Sequence, residues 1–179
     1  VGGESCVLSN HSFLCESVET SLEANVQPSY LDGYQFATDY SPQDLLQGSL
    51  SITYFLTGQD LLRDYFSDDE SRISGNFGGL FFKEGKLASY SIAGQPNQPI
   101  KVNAEIVFFD QLSGTFTPTD TPAEEVQVPN FYNFEFTNNT SSSIGDFNIL
   151  GFNYSMSNEI IPVKHAGSTL PDSLLVSRR

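Results

Sequence analysis

Apolar and polar residues alternate with a period of two along most of this chain, which is the pattern of half-buried β-strands. The alternation is clearest in residues 18–26, 49–56 and 100–109, where the apolar residues share one side of each segment. Further strands are predicted in residues 126–136, 147–156, 160–164 and 170–176. With about eight strands in all, the pattern predicts an all-β fold, an antiparallel β-sandwich or barrel.

A hairpin is predicted in the middle of the chain. The apolar run of residues 78–83 precedes Glu84-Gly85, a pair suited to the positive φ of a tight turn, and residues 86–92 alternate again. A second turn in residues 94–99 leads into the strand of residues 100–109. The three strands predict an antiparallel meander.

One short helix is predicted beside the strands. Thr57 and Asp60 resemble an N-cap followed by an acidic residue in the first turn, where the helix dipole favours negative charge. Apolar residues then recur at spacings of three and four, at Leu61, Leu62, Tyr65 and Phe66. The helix should end in residues 67–70, because acidic side chains are unfavourable at a helix C-terminus.

Charge is distributed unevenly along the 179 residues, which carry a formal charge of −14. Residues 1–70 hold twelve acidic residues and one basic residue, so they contribute −11. We predict an acidic N-terminal strand and loop in residues 1–47, packed on a main domain of residues 48–179; a single domain over 1–179 is the alternative. One strongly anionic surface is expected, and a solvated face that keeps the protein soluble explains the same charges.

The composition excludes several classes of function. A chain this acidic lacks the clustered Lys and Arg that attract nucleic-acid phosphates or anionic membrane surfaces. No run of about eighteen apolar residues occurs, so no membrane-spanning segment is predicted. Cys6 and Cys15 lie close together in the sequence, which is compatible with a local disulfide or with two free thiols.

No catalytic constellation is recognisable. His11 and His165 form no pair at the spacing of metal ligands, and no nucleophile elbow, P-loop or dinucleotide fingerprint occurs. The acidic run of residues 64–70 lacks the ligand order of an EF-hand loop and is explained by helix termination. We therefore predict no catalytic residues, no metal, no cofactor and no enzymatic activity.

Two alternatives for function remain open at this point. The aromatic loop residues Tyr30, Tyr34, Phe36 and Tyr40 could form the platform of a β-sandwich binding module, such as an adhesin or a carbohydrate-binding domain. A hydrolase with dispersed carboxylates would need an acidic pair that no spacing isolates.

Assembly is the function that the strands favour, because two of them carry apolar residues on both faces. The predicted contact segments are the hairpin of residues 78–92, the loop of residues 30–47 and the C-terminal segment. The residues predicted to form the interface are Leu80, Phe81, Phe82, Tyr90, Ile92, Phe108 and Phe109.

Several segments resemble structural proteins of tailed bacteriophages, above all tail tube proteins. The segments are residues 75–79, 87–92, 96–100, 104–109, 149–157, 162–163 and 167–171. A strand ending in a proline and a Gly-x-x-x-Pro turn, here Gly167 to Pro171, is typical of that family. The resemblance covers residues 48–176 and rests on pattern.

This resemblance implies a subunit that associates with itself and with other virion proteins in hexameric or related rings around a channel. Such channels are often lined by acidic residues, so that DNA passes without specific binding. The implied location is the virion, assembled in the host cytoplasm. The acidic residues of this chain are concentrated in residues 1–70, whereas the resemblance is best after residue 75.

Overall fold

The computed structural model describes residues 4–8, 11–23, 26–29, 39–42, 46–58, 60, 62–67, 71–109, 112–117, 128, 130–131, 150–165, 168 and 170–178. This part of the chain contains eleven strands and one helix. They are β1 (Glu4–Leu8), β2 (His11–Glu23), β3 (Val26–Ser29), β4 (Asp39–Pro42), β5 (Gln47–Phe55), α1 (Leu62–Ser67), β6 (Ile73–Phe77), β7 (Leu80–Gly94), β8 (Lys101–Phe108), β9 (Ser113–Gly114), β10 (Phe152–Val163) and β11 (Ser173–Arg178).

Nine of the strands form one antiparallel sheet that curls back on itself. The long strand β7 pairs with β6 at its beginning and with β8 further along, so the pairings run β7, β6, β1, β2, β5, β8 and return to β7. We call these six strands the barrel. Strand β10 pairs with the end of β7, β11 pairs with β10, and β3 and β4 form a separate two-stranded sheet. The all-β prediction with one short helix is confirmed.

The interior of the barrel follows from the period of two. Along β5 and β8 every second side chain is buried, and the register pairs Leu50 with Ile106 and Ile52 with Ala104. The buried apolar side chains of these two strands are those of Leu50, Ile52, Tyr54, Val102, Ala104, Ile106 and Phe108. Burial of apolar side chains is the main stabilising contribution here, at about 25 cal/mol per Å² of apolar surface.

Three β-bulges interrupt the ladders, between Cys15 and Ser17, between Ile73 and Gly75, and between Leu87 and Ser89. A bulge inserts one extra residue into a strand and increases its local bend and twist. The extra residues lie on two strands, one on β2 and two on β7, and they help the sheet to curl.

The predicted turn at Glu84-Gly85 is wrong, because β7 runs without reversal from Leu80 to Gly94. Glu84 does adopt a positive φ of 57°, but it does so within the strand. The chain reverses instead at Gly78 and Gly79, with φ of 53° and 83°, and joins β6 to β7. Two successive positive φ angles suit a tight hairpin, and glycine adopts them without a steric penalty.

The predicted helix is confirmed as α1, with Leu62 and Phe66 buried against the core. The Asp60 Oδ1 atom accepts a hydrogen bond from the backbone N–H of Leu62 at 3.1 Å. A carboxylate in this position satisfies a backbone donor that the first turn of a helix leaves unpaired.

The N-terminal strand is longer than the predicted segment of residues 18–26, since β2 begins at His11 and ends at Glu23. Strand β2 pairs with β5 across the predicted boundary at residue 47, so both segments contribute to one sheet; the boundary itself stays a prediction. Most of the predicted strand of residues 126–136 lies outside the described residues. No helix in the described part is long and apolar enough to cross a membrane.

Candidate functional site

The outward side of five adjacent strands carries small polar side chains in register. Two cross-strand rows run over β2, β5, β8, β7 and β10 in that order. The first row contains Glu19, Ser51, Glu105, Ser89 and Ser157, and the second contains Ser17, Thr53, Asn103, Ser91 and Ser155. We call these ten residues the polar face. It exists because alternate side chains of a strand point to opposite sides, and the inward set fills the core.

Hydrogen bonds between strands hold part of the polar face together. The Thr53 hydroxyl donates to Asn103 Oδ1 at 2.8 Å, and Asn103 Nδ2 donates to the Ser91 hydroxyl at 3.5 Å. In the other row the Ser89 hydroxyl donates to Glu105 Oε2 at 3.4 Å. Residues of β5, β7, β8 and β10 on this side line a shallow groove of about 620 Å³.

The charges on and beside the polar face are acidic or paired. Glu19 and Glu105 belong to the face, and Glu16 lies next to it. The Lys101 ammonium, at the adjoining row, contacts Glu16 Oε2 at 2.7 Å and lies 5.4 Å from the centre of the Phe55 ring. The ion pair neutralises that lysine, so the face offers a polyanion no net attraction.

A second polar cluster joins the helix to the barrel. The Tyr54 hydroxyl donates to Asp60 Oδ1 at 2.7 Å, and the Tyr90 hydroxyl donates to Asp60 Oδ2. Burial, followed by the proximity of Asp60, raises the pKa of both phenols. Both tyrosines are therefore neutral donors at physiological pH, and their contacts fasten the start of α1 to β5 and β7. The sequence pattern placed Thr57 at the N-cap and Asp60 in the first turn, whereas Asp60 precedes the helix and caps it. The tyrosine partners of Asp60 were not predicted, because contacts between side chains of different elements leave no local pattern.

The structure divides the seven residues predicted to form an assembly interface. Phe82, Tyr90, Phe108 and Phe109 are buried in the chain itself, whereas Leu80 and Ile92 are half-buried against the core. Phe81 is 46% exposed, and it pairs with Asn76 on one side and Ser113 on the other. The interface stays a prediction, with Phe81 as its most accessible member.

The C-terminal strands carry exposed apolar side chains that the sequence pattern did not single out individually. Ile161 and Val163 on β10 and Leu175 on β11 point outward, and Leu170 lies exposed shortly before β11. The available signal was the run Ile160-Ile161, since two adjacent apolar residues in a strand must face opposite sides.

The residues of the predicted aromatic binding loop lie mostly outside the described part of the chain. Tyr30, Tyr34 and Phe36 lie outside the described residues, and Tyr40 is on β4, where its backbone pairs with Pro28. The predicted aromatic binding loop therefore stays a prediction. Among the described residues no group of three or more His, Cys, Asp or Glu is arranged to hold a metal ion.

The two histidines and two cysteines lie on β1, β2 and the C-terminal hairpin. His11 begins β2 opposite Leu8, and His165 Nδ1 is 2.6 Å from Asp172 Oδ2 at the exposed end of the hairpin. Cys6 and Cys15 are free thiols buried on adjacent strands. A hydrogen bond with Cys15, together with burial, raises the pKa of Cys6.

No protein-family model matches this sequence, and no curated protein matches it. Among solved structures, the chain is similar to Hcp1 from Flavobacterium johnsoniae, with 15% sequence identity and a TM-score of 0.44. The similarity covers 65% of this chain and 99% of that chain.

Proposed function

We propose that this chain is a non-enzymatic structural subunit of a virion, which associates with copies of itself into the rings or the tube of a phage tail that conducts DNA. The observation that carries the proposal is the polar face, a broad strip of short hydroxyl, amide and carboxylate side chains on one side of a well-packed barrel. In the assembly this face is turned toward the channel. The partners are other copies and other virion proteins, assembled in the host cytoplasm.

The chemistry of the polar face suits the passage of DNA. A wall that binds phosphates needs free Lys or Arg, and each such contact contributes to strong, salt-dependent binding. The polar face instead presents Ser, Thr, Asn and Glu, while the neighbouring Lys101 is paired with Glu16. A wet and weakly anionic wall leaves DNA mobile, and short side chains leave the channel open.

Assembly requires contacts outside the polar face, and Phe81 supplies one. Its side chain is half-exposed on β7 although the flanking Phe82 is buried in the core. Burial of an aromatic side chain between subunits removes apolar surface from water and is typical of the residues that dominate interfaces.

Native mass spectrometry and negative-stain electron microscopy of the purified chain test the assembly directly. We expect rings or tubes of one symmetry, and a monomer at every concentration would contradict the proposal. Phe81→Asp should abolish these particles without changing the circular dichroism spectrum. Lys83→Ser is the matched control, because Lys83 is exposed on the same side of β7 and offers little apolar surface; it should leave the particles intact.

The orientation of the polar face has its own test. Ser91→Lys combined with Ser155→Lys adds two positive charges to one row, whereas Thr115→Lys combined with Thr117→Lys adds them outside the face. Assembled particles of the first variant should retain linear DNA in a salt-dependent manner, and those of the second should not. Equal retention by both variants would show that the polar face does not line the channel.

A further inference from the structure

Strand β10 changes its pairing partner halfway along its length. Its first half, from Phe152 to Ser157, pairs with β7, whereas its second half, from Asn158 to Val163, pairs with β11. Strand β11 is the edge of the sheet, since it pairs only with β10 among the described residues. We call β11 and the second half of β10 the strap. In the described part of the chain, no backbone ladder joins the strap to the barrel.

The packing of apolar side chains divides at the same place. Met156, in the first half of β10, packs against the main core of the barrel. Ile160 and Leu174 of the strap pack instead in a second, smaller cluster with Val107 and Phe109, at the end of β8. A segment that buries few apolar side chains against its neighbour has a low free energy of opening. The strap is therefore held by a small cluster that is separate from the main core.

The two halves of β10 meet at Asn158. Its Nδ2 atom donates to the Leu87 carbonyl at 3.2 Å, next to the bulge between Leu87 and Ser89. Its Oδ1 atom is buried and accepts no hydrogen bond from the residues that the structure describes. A buried carbonyl without a donor costs free energy, and opening of the strap returns it to water. The junction thus combines one hydrogen bond that holds the strap with one unpaired acceptor that opposes closure.

The two strands of the strap are well connected to each other. Six register pairs join them without a bulge. Beyond the last pair, the Asp172 backbone N–H donates to the Val163 carbonyl at 2.8 Å, and Asp172 Oδ2 accepts a hydrogen bond from the His165 backbone N–H at 2.9 Å. These bonds lie within the hairpin, so we expect its two strands to leave the barrel together.

We propose that the strap opens as one unit, with its hinge at Asn158, while the barrel stays folded. Opening uncovers Val107 and Phe109, which pack with Ile160 and Leu174 when the strap is closed. Phe109 is 5% exposed, and it is one of the residues predicted to form the assembly interface. The closed strap withholds this aromatic side chain from other copies of the chain. That consequence rests on the proposed function, whereas the opening is a property of the single chain and occurs whether or not rings assemble.

Labelling of introduced thiols in the folded chain tests the opening. Leu174→Cys places a thiol beneath the strap. Leu56→Cys is the matched control, because the two leucines are 9% and 8% exposed but Leu56 belongs to the main core. Without denaturant, a maleimide should modify Leu174→Cys at least about tenfold faster than Leu56→Cys. The native thiols Cys6 and Cys15, buried in the main core, report global unfolding in the same samples. Equal rates for the two introduced thiols would overturn the proposal.

Removal of the packing between strap and barrel tests the cause of the opening. Ile160→Ala, combined with Leu174→Cys, should raise the labelling rate at least about tenfold, because Ile160 belongs to the small cluster. Ile161→Ala is the control in the same background, since the adjacent Ile161 is 45% exposed on the other side of the hairpin. It should change the rate little, and equal effects of the two substitutions would overturn the proposal.

Native-state hydrogen exchange of the unmodified chain tests whether the strap opens as a unit. Amides in the ladder between β10 and β11 should share one free energy of opening on both strands, below that of the amides of β8. Two results would overturn the proposal. In one, the strap amides exchange only together with those of β8; in the other, β11 alone exchanges early while the second half of β10 stays protected.

Discussion

Gly48 and Phe108 are register partners on β5 and β8, and the Phe108 ring occupies the space that a Cβ atom on Gly48 would need. Phe108 is fully buried and stacks on Phe82 with ring centres 5.0 Å apart. The glycine is therefore required by packing at this point of the barrel. The Phe108 ring fills the space next to the Gly48 backbone that a side chain would otherwise occupy.

Gly48→Ala should lower the free energy of unfolding by about 1–3 kcal/mol, because the added methyl group forces the Phe108 ring out of its place. Urea denaturation measures the loss. Gly58→Ala is the control, since a Cβ at Gly58 would meet no atom within 4 Å. Equal losses in the two variants would show that the close approach to Phe108 is not the cause.

Tyr54→Phe should cost about 1–3 kcal/mol of stability, because Asp60 loses one of its donors in a partly buried site. Tyr154→Phe serves as the control, as Tyr154 is 54% exposed and its loss of a hydroxyl should change little. Thermal or urea unfolding compares the two. A Tyr54→Phe variant as stable as the wild type would contradict the role of this hydrogen bond.

Alkaline pH should destabilise the fold through Tyr54 and Tyr90. Burial, with Asp60 second, raises the pKa of both phenols in the folded state, whereas an unfolded tyrosine has a pKa of about 10. Below that pH both states keep the protons and the stabilisation is complete. Above it the unfolded state releases protons that the folded state retains, so stability falls as the pH rises.

Urea denaturation at a series of pH values above 10 measures this decline. The double variant Tyr54→Phe, Tyr90→Phe should show a shallower decline than the wild type, because it lacks the two phenols whose pKa is raised. Identical slopes would contradict the assignment.

Cys6 should be unreactive toward maleimide in the folded protein. Its hydrogen bond with Cys15 and its burial raise the pKa of the thiol, and the thiolate is the reactive form. Leu170→Cys introduces an exposed thiol that should be labelled at once, while the native cysteines should react only after unfolding. Native-state labelling of Cys6 as fast as that of Leu170→Cys would contradict the buried site.

Local sequence patterns were sufficient to predict the strands and the helix whose environment is the same along their whole length. The strand β8 has one face in the core throughout, so Val102, Ala104, Ile106 and Phe108 were predicted inward and are buried. The helix was predicted from the acidic residue Asp60 and from apolar residues at spacings of three and four. The turn at Glu84-Gly85 was wrong because a residue with positive φ can bend a strand as well as reverse it, and the cross-strand partners of β7 decide between the two outcomes.

Two of the predicted interface residues show a further limit of prediction from local sequence patterns. Phe81 and Phe82 look alike in the sequence, yet one is half-exposed and the other buried. The difference follows from the barrel, because only one of two adjacent side chains can point into it.

The amino-acid sequence alone determined the all-β class, the short helix and the acidic character of this protein, since alternation, capping and charge are properties of neighbouring residues. Tertiary structure alone decided the curling of the sheet, the ten-residue polar face, the two tyrosines on Asp60 and the exposed edge of β11. Each of these depends on which strands pair and in which register, and pairing joins residues far apart in the chain through contacts that local patterns do not encode.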